Sequence, residues 1–415
     1  MDRSNISVAG PIISEELNLS SVQLGLIFSA FGWTYAALQI PGGIMADRFG
    51  PRIVYTVSLI AWSTITFVQG FATGFAALLI LRMAIGIFEA PSYPTNNRIV
   101  TTWFPENERA SAIAVYTSGQ FIGLAFLAPA LTALEHYAGW QGLFFTTGLV
   151  GIVWGVVWYF IYRDPAEHRR ASKAELDHIE RGGGIINKKD ASHKTKDAPK
   201  FKWQDLKEAF VHRKLWGIYI GQFALGGTLW FFLTWFPTYL VKYRGLGFLK
   251  SGFLASAPFL AAFAGLLLSG FLSDFMIRKK VPIGIARKTP IITGLLLSAS
   301  IVGANYVDSP TLIILFMCIS FFGNGLASIT WIFVSTLAPK HMVGLTGGVF
   351  NFIGGLAGIV VPIVIGYLAS GGQFAPALVF VGCLGLAGAL SYIFLVGKVE
   401  RIEVPSKMKA VVEVI

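Results

Sequence analysis

The sequence predicts an all-α membrane protein with about twelve membrane-spanning helices, each of which needs roughly 20 apolar residues. Two features of the composition carry this prediction. Of the 415 residues, 54% are hydrophobic and only 13% are charged, and the mean hydropathy is +0.64. Soluble domains carry about 25% charged residues, and disordered chains combine low hydrophobicity with high net charge. Both of these classes are therefore excluded.

Charges, cysteines and motifs exclude several functional classes. The net charge of +11 comes without a clustered basic surface on a soluble domain, so we expect no nucleic-acid partner. Cys318 and Cys383 lie in apolar runs and predict neither a disulfide framework nor a metal site. The chain has no phosphate-binding Walker loop, no H-E-x-x-H and no G-x-S-x-G motif. We therefore expect neither an enzyme nor an ATP-driven pump.

Eleven continuous apolar stretches are each long enough to cross a bilayer. They lie at residues 22–45, 53–72, 76–98, 110–133, 140–162, 215–241, 250–275, 289–307, 311–335, 343–369 and 374–397. Before them, residues 2–13 would cover only about half of a bilayer at about 1.5 Å per residue. We expect this piece to be the outer half of a first helix whose inner half is missing because the start is truncated or misassigned.

The positions of Lys and Arg predict which side of the membrane each loop faces. Basic residues lie in every second loop and in the tail, which are therefore predicted to be cytoplasmic. Lys242, Arg244 and Lys250 are an exception on the opposite side. We expect four parts: a six-helix half at 1–162, a cytoplasmic linker at 163–214, a second six-helix half at 215–397 and a cytoplasmic tail at 398–415. The basic residues of the linker could instead mark a lipid-headgroup or partner site.

The two halves repeat one loop motif. Gly43-Ile-Met-Ala-Asp47-Arg48-Phe-Gly50-Pro-Arg52 follows the second span, and Gly270-Phe-Leu-Ser-Asp274-Phe-Met-Ile-Arg278 stands at the corresponding place in the second half. We expect a conformational gate, in which the carboxylate pairs with basic residues and a helix N-terminus in one access state. Its residues are Gly43, Asp47, Arg48, Arg52, Asp274 and Arg278. An ordinary charged turn is the alternative. Parallel repeats occur in transporters, and this loop resembles the signature of the major facilitator superfamily, whose fold has two six-helix halves.

Four ionisable residues lie deep in apolar sequence, all of them in the first half: Asp2, Arg3, Arg82 and Glu89. Charges in hydrocarbon are costly, so we expect these side chains to face the bundle interior and to mark a pathway. Arg82 and Glu89 are seven residues apart and share a helix face. The four charges could neutralise each other as structural pairs. Alternatively, the guanidinium groups bind the carboxylate of an anion, and the carboxylates carry protons.

Neutral polar side chains complete the predicted site. They are Gln120 in the first half and Gln222, Ser328, Thr330 and Asn351 in the second half, with Tyr35 and Trp331 as flat rims that have a polar tip. Each residue taken alone could be a polar contact between helices. Taken together they predict recognition of hydroxyl groups, and with the two arginines they predict a small hydroxylated organic anion as the substrate.

Longer motifs extend over essentially the whole chain. They include Asp2-Arg3-Ser4-Asn5, Phe88-Glu89-Ala90-Pro91, Pro94-Thr95-Asn96-Asn97-Arg98, Thr117-Ser118-Gly119-Gln120, Trp230-Phe231-Phe232-Leu233-Thr234-Trp235, Ala327-Ser328-Ile329-Thr330-Trp331 and Gly344-Leu345-Thr346-Gly347-Gly348-Val349-Phe350-Asn351. These motifs resemble the anion:cation symporter family of the major facilitator superfamily.

The resemblance implies a proton-driven symporter that imports a sugar acid, D-galactonate above all, across the bacterial inner membrane. It implies that Arg3 and Arg82 contact the substrate carboxylate, that Asp2 and Glu89 are protonation sites, and that the seven neutral residues line the pocket. We expect no metal, no cofactor besides protons as the coupling ion, a surrounding lipid bilayer and a monomer. The alternatives are another organic acid, namely glucarate, galactarate or a hexuronate, or a membrane sensor that binds a sugar acid without moving it.

Overall fold

The structure is a computed structural model that describes residues 2–106, 108–184, 203–339 and 342–402. Helices and the turns that join them make up these residues, and no β-strand occurs among them. This is the arrangement expected of a chain that must satisfy its backbone hydrogen bonds in apolar surroundings. The all-α fold class is confirmed. The side chain of Gln120, which belongs to the predicted site, lies outside the described part of the structure.

The helices vary from short turns to one of 53 residues. Up to residue 184 they are α1 Asp2–Glu16, α2 Ser21–Phe49, α3 Pro51–Gln69, α4 Phe75–Glu89, α5 Ser92–Trp103, α6 Arg109–Ile161 and α7 Lys173–Arg181. From residue 203 they are α8 Trp203–Val211, α9 Arg213–Thr234, α10 Phe236–Thr238, α11 Phe248–Arg278, α12 Ile283–Ser298, α13 Pro310–Ala327, α14 Trp331–Leu337, α15 Val343–Leu368 and α16 Ala375–Leu390. Tighter or wider helical turns add Pro165–Glu167, Tyr239–Tyr243, Ala299–Tyr306, Ser328–Thr330 and Ser391–Leu395.

Within the described ranges, ten helical segments are long and apolar enough to cross a membrane. The sequence predicts eleven full spans, and the difference lies in α6, which covers two of them. The backbone of α6 leaves helical geometry at Gly139, with φ 70° and ψ 170°. Glycine adopts a positive φ without a steric penalty. The predicted boundary between residues 133 and 140 therefore coincides with a break inside α6.

The helices pack into two compact units. Unit 1 consists of the described residues within Met1–Lys200, Leu233–Ser256 and Pro362–Ser370, and unit 2 of those within Phe201–Phe232, Ala257–Val361 and Gly371–Ile415. The limits of these units fall inside α9, α11 and α15. The division of the chain into two halves, a linker and a tail, at the boundaries given above, stays a prediction.

In unit 1, α3 packs along the second part of α6. Gly148 and Gly151 of α6 lie against Phe67 and Ser63 of α3, so closely that a Cβ atom at either glycine would collide with its neighbour. Small residues allow two helices to approach closely in an apolar medium. The first helix, α1, also packs against α6.

A second contact in unit 1 fixes the helix that carries two of the predicted site residues. Gly86 of α4 lies against the backbone of Phe31 in α2, and Thr34 Oγ1 donates a 2.7 Å hydrogen bond to the Met83 carbonyl. Pro91 lacks the N–H group that a continuous helix would need, and α4 ends at Glu89. As a result, Arg82 lies inside α4 and Glu89 lies at its C-terminal end.

In unit 2, α12 and α13 are joined by a reciprocal pair of hydrogen bonds. Ser298 Oγ donates to the Ser320 carbonyl at 3.1 Å, and Ser320 Oγ donates to the Ser298 carbonyl at 2.9 Å. Gly294 and Gly323 face each other's backbone in the same contact. Nearby, the rings of Phe232 and Phe321 stack with centroids 4.1 Å apart. These contacts give unit 2 a tightly packed interior.

Candidate functional site

Unit 1 brings the four predicted ionisable residues together at the start of α1 and on α4. Arg3 donates two hydrogen bonds to Oε1 of Glu89, 3.0 Å from Nε and 2.6 Å from Nη2. The side chains of Arg3 and Glu89 are 24% and 13% exposed, so the ion pair is largely withdrawn from solvent. Pairing compensates two charges that would each be costly in hydrocarbon.

Two aromatic rings of α2 hold the guanidinium group of Arg3. The Arg3 Cζ atom is 4.8 Å from the ring centroid of Phe31 and 4.9 Å from that of Tyr35, which is within the range of a cation–π interaction. The two rings stack at 4.9 Å with 26° between their planes. Tyr35, predicted as a flat rim of the site, therefore contacts the guanidinium group directly.

Arg82 is the more deeply buried cation, with 2% of its surface exposed. Its Nη1 donates a 3.0 Å hydrogen bond to the backbone carbonyl of Asp2, and its Cζ lies 5.4 Å from the Phe31 ring centroid. Its Nε has no hydrogen-bond partner among the described residues. A buried guanidinium with an unused donor is suited to accept an anion.

The carboxylate of Asp2 contacts α3. Its Oδ1 accepts a 3.1 Å hydrogen bond from Thr66 Oγ1 of α3, whereas the neighbouring Arg3 reaches α4. Adjacent residues of one helix point in different directions. The four charges therefore form one connected group that links α1 to both α3 and α4.

A cavity of about 330 Å³ adjoins this group. Small-molecule sites in proteins have volumes of about 300–1,000 Å³, so the cavity lies at the small end of that range. Asp2, Arg3 and Glu89 contribute to its wall. The other wall residues are Ser4, Tyr55, Trp62, Ser92, Tyr93, Asn96, Gly119, Gly123, Leu124, Leu127 and Leu233. The cavity is charged on one side and carries hydroxyl, amide and aromatic groups elsewhere.

The polar wall residues that were not predicted from the sequence include Tyr55, Ser92 and Asn96. Asn96 stands in the motif Pro94-Thr95-Asn96-Asn97-Arg98, which was a usable signal. Tyr55 and Ser92 carry no charge and lie in or beside apolar spans, where neutral polar residues are common as contacts between helices. Only the folded structure shows that Tyr55 and Ser92 line the cavity.

Unit 2 brings two of its predicted residues into contact. Thr330 Oγ1 donates a 3.2 Å hydrogen bond to Oε1 of Gln222, and Thr330 is 1% exposed. Trp331 and Asn351 are exposed, and Ser328 is half-buried with no hydrogen-bond partner for its Oγ in the described part of the chain. No hydrogen bond between described residues joins these three to Gln222 or Thr330. The assignment of all five to a substrate site stays a prediction.

The two copies of the repeated loop motif differ in the contacts that their charged side chains make. Asp47 accepts a 2.6 Å salt bridge from Nη1 of Arg98 in α5, a partner that the sequence analysis does not single out. Arg52 donates to the Tyr159 carbonyl at 2.9 Å, Arg48 lies near the Phe49 ring, and Gly43 lies beside Pro94. In the second copy, Asp274 and Arg278 are exposed, and Asp274 forms no salt bridge with another described residue. The gate stays a prediction.

Comparison with known proteins identifies relatives over nearly the whole chain. The Major Facilitator Superfamily model matches residues 1–286. The chain is 53% identical over 402 residues to a D-galactonate transporter of Escherichia coli O6:H1, covering 97% of this chain and 93% of that protein. It is 42% identical over 408 residues to a probable galactarate/D-glucarate transporter of Bacillus subtilis, covering 97% and 89%.

Solved structures with low sequence identity share the fold. A D-xylose-proton symporter superposes with a TM-score of 0.70 at 15% identity, over 96% of this chain and 94% of that chain. A bacterial homologue of the human lysosomal transporter Spinster gives a TM-score of 0.70 at 20% identity, over 95% and 91%. Together with the family match and the membrane-spanning helices, these similarities show that the chain belongs to the Major Facilitator Superfamily and is a multi-pass membrane transporter.

Proposed function

We propose that the chain imports a sugar acid, D-galactonate in the first place, together with protons and by alternating access. The observation that carries the proposal is the ion pair of Arg3 and Glu89 at the wall of the cavity. The 53% identity to a D-galactonate transporter supports the choice of substrate. The two guanidinium groups supply the charge that a carboxylate requires.

The ion pair suggests how proton binding and substrate binding are coupled. A proton on Glu89 removes its negative charge and weakens its charge-assisted hydrogen bonds to Arg3. Arg3 then becomes available to the carboxylate of the substrate. Because each ligand favours the state that binds the other, the coupling between them is reciprocal.

The remaining groups have supporting roles in this proposal. Arg82 provides a second contact for the carboxylate, and Asp2 provides a second protonation site. Tyr35 holds Arg3, while Gln120, Gln222, Ser328, Thr330, Trp331 and Asn351 contact hydroxyl groups or enclose the substrate. Protons are the coupling ion, and no metal or organic cofactor takes part. The transporter acts as a monomer in the bacterial inner membrane, with the central linker and the C-terminus in the cytoplasm.

A second substrate class is an aldaric acid such as galactarate or D-glucarate. Relatives with these substrates in their names are 42% identical to the chain. The site also contains two guanidinium groups, Arg3 and Arg82, which suit a substrate with two carboxylates. Aldonates and aldarates therefore need to be compared directly, and a hexuronate serves as a third class in the same comparison.

Uptake by proteoliposomes tests the proposal. Labelled D-galactonate is added outside, with and without an inward proton gradient, and unlabelled D-galactonate, galactarate, D-glucarate and a hexuronate are added as competitors. We expect accumulation that depends on the gradient and is blocked best by D-galactonate. Stronger block by the aldarates would move the assignment to that class. Binding without counterflow of labelled substrate would contradict transport and favour a sensor.

A further inference from the structure

A second group of buried polar side chains lies outside the cavity wall, where α1, α3 and α6 meet. Asn5 Nδ2 of α1 donates a 2.8 Å hydrogen bond to Thr147 Oγ1 of α6. Thr66 of α3 donates to the carboxylate of Asp2. Asn5, Thr66 and Gln69 are each 0% exposed, and none of them contributes to the cavity wall. The hydrogen bond from Thr66 to Asp2 links the group to the proposed site.

Asn5 and Gln69 lie at about the same level on α1 and α3, which both pack against α6. Asp2 and Thr66 are in contact, and successive spanning helices alternate in direction, so α1 and α3 run the same way. Asn5 follows Asp2 by three residues, and Gln69 follows Thr66 by three residues. Each step is about 4.5 Å along its helix axis. Both amides therefore lie about one turn beyond the Asp2–Thr66 contact, towards the end of α3.

These two amides have unused hydrogen-bonding groups. Neither Nε2 nor Oε1 of Gln69 has a partner in the described part of the structure, and the same is true of Oδ1 of Asn5. Buried polar groups are nearly always hydrogen-bonded to protein or to ordered water. An amide that served only as a contact between helices would form its hydrogen bonds directly with protein groups, as Asn5 Nδ2 does with Thr147. The open positions are instead suited to a buried water, which makes about three hydrogen bonds.

We propose that Asn5 and Gln69 hold bound water that delivers protons to Asp2 from the outer side, along a route separate from the substrate cavity. The proposal rests on the proposed function and on the predicted orientation, which places the C-terminal end of α3 outside. In the transfer, Thr66 passes its hydroxyl proton to Oδ1 of Asp2 and takes a proton from the bound water, which in turn takes a proton from water on the outer side. The hydroxyl group and the bound water are thereby restored, and one proton has moved from the outer side to the carboxylate.

The surroundings of Asp2 separate this route from the cavity. The charged or titratable groups that face Asp2 within the described residues are Arg3 on its own helix, Arg82 and Glu89 on α4, and Tyr55 and Tyr93 around the cavity. Arg82 contacts the backbone of Asp2, and the others share the cavity wall with it. On the side of Asn5 and Gln69, the contacts are with neutral Thr66 and Thr147. Protons can thus reach Asp2 between α1, α3 and α6, whereas the substrate reaches the site through the cavity.

Gln69→Met tests the route because methionine has a similar length and no hydrogen-bonding amide. We expect the initial rate of gradient-driven uptake to fall by roughly fivefold, the factor that corresponds to losing one hydrogen bond of about 1 kcal/mol. Counterflow of labelled substrate at equal pH is expected to stay at the wild-type rate, because exchange of bound substrate requires no net proton entry. Gln69→Asn, which keeps an amide, is expected to recover most of the uptake rate.

Two further variants complete the design. Thr66→Val removes the hydroxyl that contacts Asp2 and is expected to reduce uptake while sparing counterflow. Thr132→Val is the matched control, because Thr132 is 3% exposed and its hydroxyl donates to the Ala128 carbonyl of its own helix. Wild-type uptake by Gln69→Met, or an equal loss of uptake and counterflow, would overturn the route. Absence of both activities in the wild-type protein would instead overturn the proposed function.

Discussion

At the scale of single residues, Glu89 accepts both hydrogen bonds from Arg3 on the same oxygen, Oε1. Both hydrogen bonds of Arg3 to Glu89 therefore depend on the charge of one carboxylate. Removing that charge weakens both bonds at once, since charge-assisted hydrogen bonds are roughly twice as strong as neutral ones. The pair is thus sensitive to a single proton, and this sensitivity can be measured with conservative variants.

Glu89→Gln replaces the carboxylate by a neutral group of the same shape. We expect counterflow of D-galactonate to persist, because the amide resembles the protonated acid and leaves Arg3 available. Accumulation driven by a proton gradient is expected to disappear, since residue 89 no longer carries a proton. The pH dependence of substrate binding is expected to flatten for the same reason. Counterflow and gradient-driven uptake are measured in the same proteoliposomes.

Glu15→Gln is the control for this experiment, because Glu15 is an exposed carboxylate near the end of α1. It is expected to behave like the wild-type protein. Unimpaired accumulation by Glu89→Gln would remove Glu89 from the coupling mechanism.

Arg82→Lys keeps the positive charge but loses the planar fork of the guanidinium group. If Arg82 contacts the substrate carboxylate, affinity is expected to fall by at least about tenfold, because hydrogen bonds to charged groups contribute about 1.5–3 kcal/mol. Isothermal titration with the purified protein measures the change. Arg169→Lys, at an exposed position, serves as the control, and near-native affinity of Arg82→Lys would refute the carboxylate contact.

The sequence predicts charged site residues better than neutral ones. Asp2, Arg3, Arg82 and Glu89 stand out because each charge in an apolar span is costly, and unit 1 indeed brings all four together. Tyr55 and Asn96 of the cavity wall have no such signature. Arg98, the partner of Asp47, lies 51 residues away in sequence, so only the packing of α2 against α5 reveals the pair.

At the scale of helices, hydropathy predicts the spans well because a bilayer fixes their length. It does not predict their contacts. Gly139 lies at the break within α6 and has a positive φ, yet the sequence contains 46 glycines, and most of them are not at breaks. Gly148 and Gly151 lie instead at the contact between α3 and α6. The same residue type thus has different roles that depend on the neighbouring helix.

Gly148→Ala tests this contact. Its Cβ atom would lie within 3.0 Å of backbone atoms of Phe67, so α3 and α6 must move apart. Overpacking costs about 1–3 kcal/mol, and we expect a clearly lower midpoint of thermal unfolding in detergent. Gly355→Ala is the control, because a Cβ atom there meets no other atom within 4 Å. Alanine favours a helix over glycine, so Gly355→Ala is expected to be neutral or stabilising; equal midpoints for the two variants would contradict the predicted collision.

At the scale of the whole molecule, sidedness was predicted from the distribution of Lys and Arg. Single cysteines test it after Cys318 and Cys383 are replaced by serine. Ala174→Cys lies in α7 and Asp308→Cys precedes α13, and both positions are exposed. With a membrane-impermeant maleimide on intact cells, we expect labelling at residue 308 and none at residue 174 until the membrane is opened. The reverse pattern would invert the orientation.

The ion pair of Arg3 and Glu89 also bears on energy conservation by the cell. In the proposed cycle, the ionised group of Asp2, Arg3, Arg82 and Glu89 has two negative and two positive charges, so the empty carrier can reorient as a neutral unit. A carrier with protonated Glu89 and no anion would hold an uncompensated cation in apolar surroundings, at a cost of several kcal/mol. Reorientation of that species would carry protons into the cell without substrate and would dissipate the proton gradient. The same contact that couples transport therefore limits futile proton leakage when no sugar acid is present.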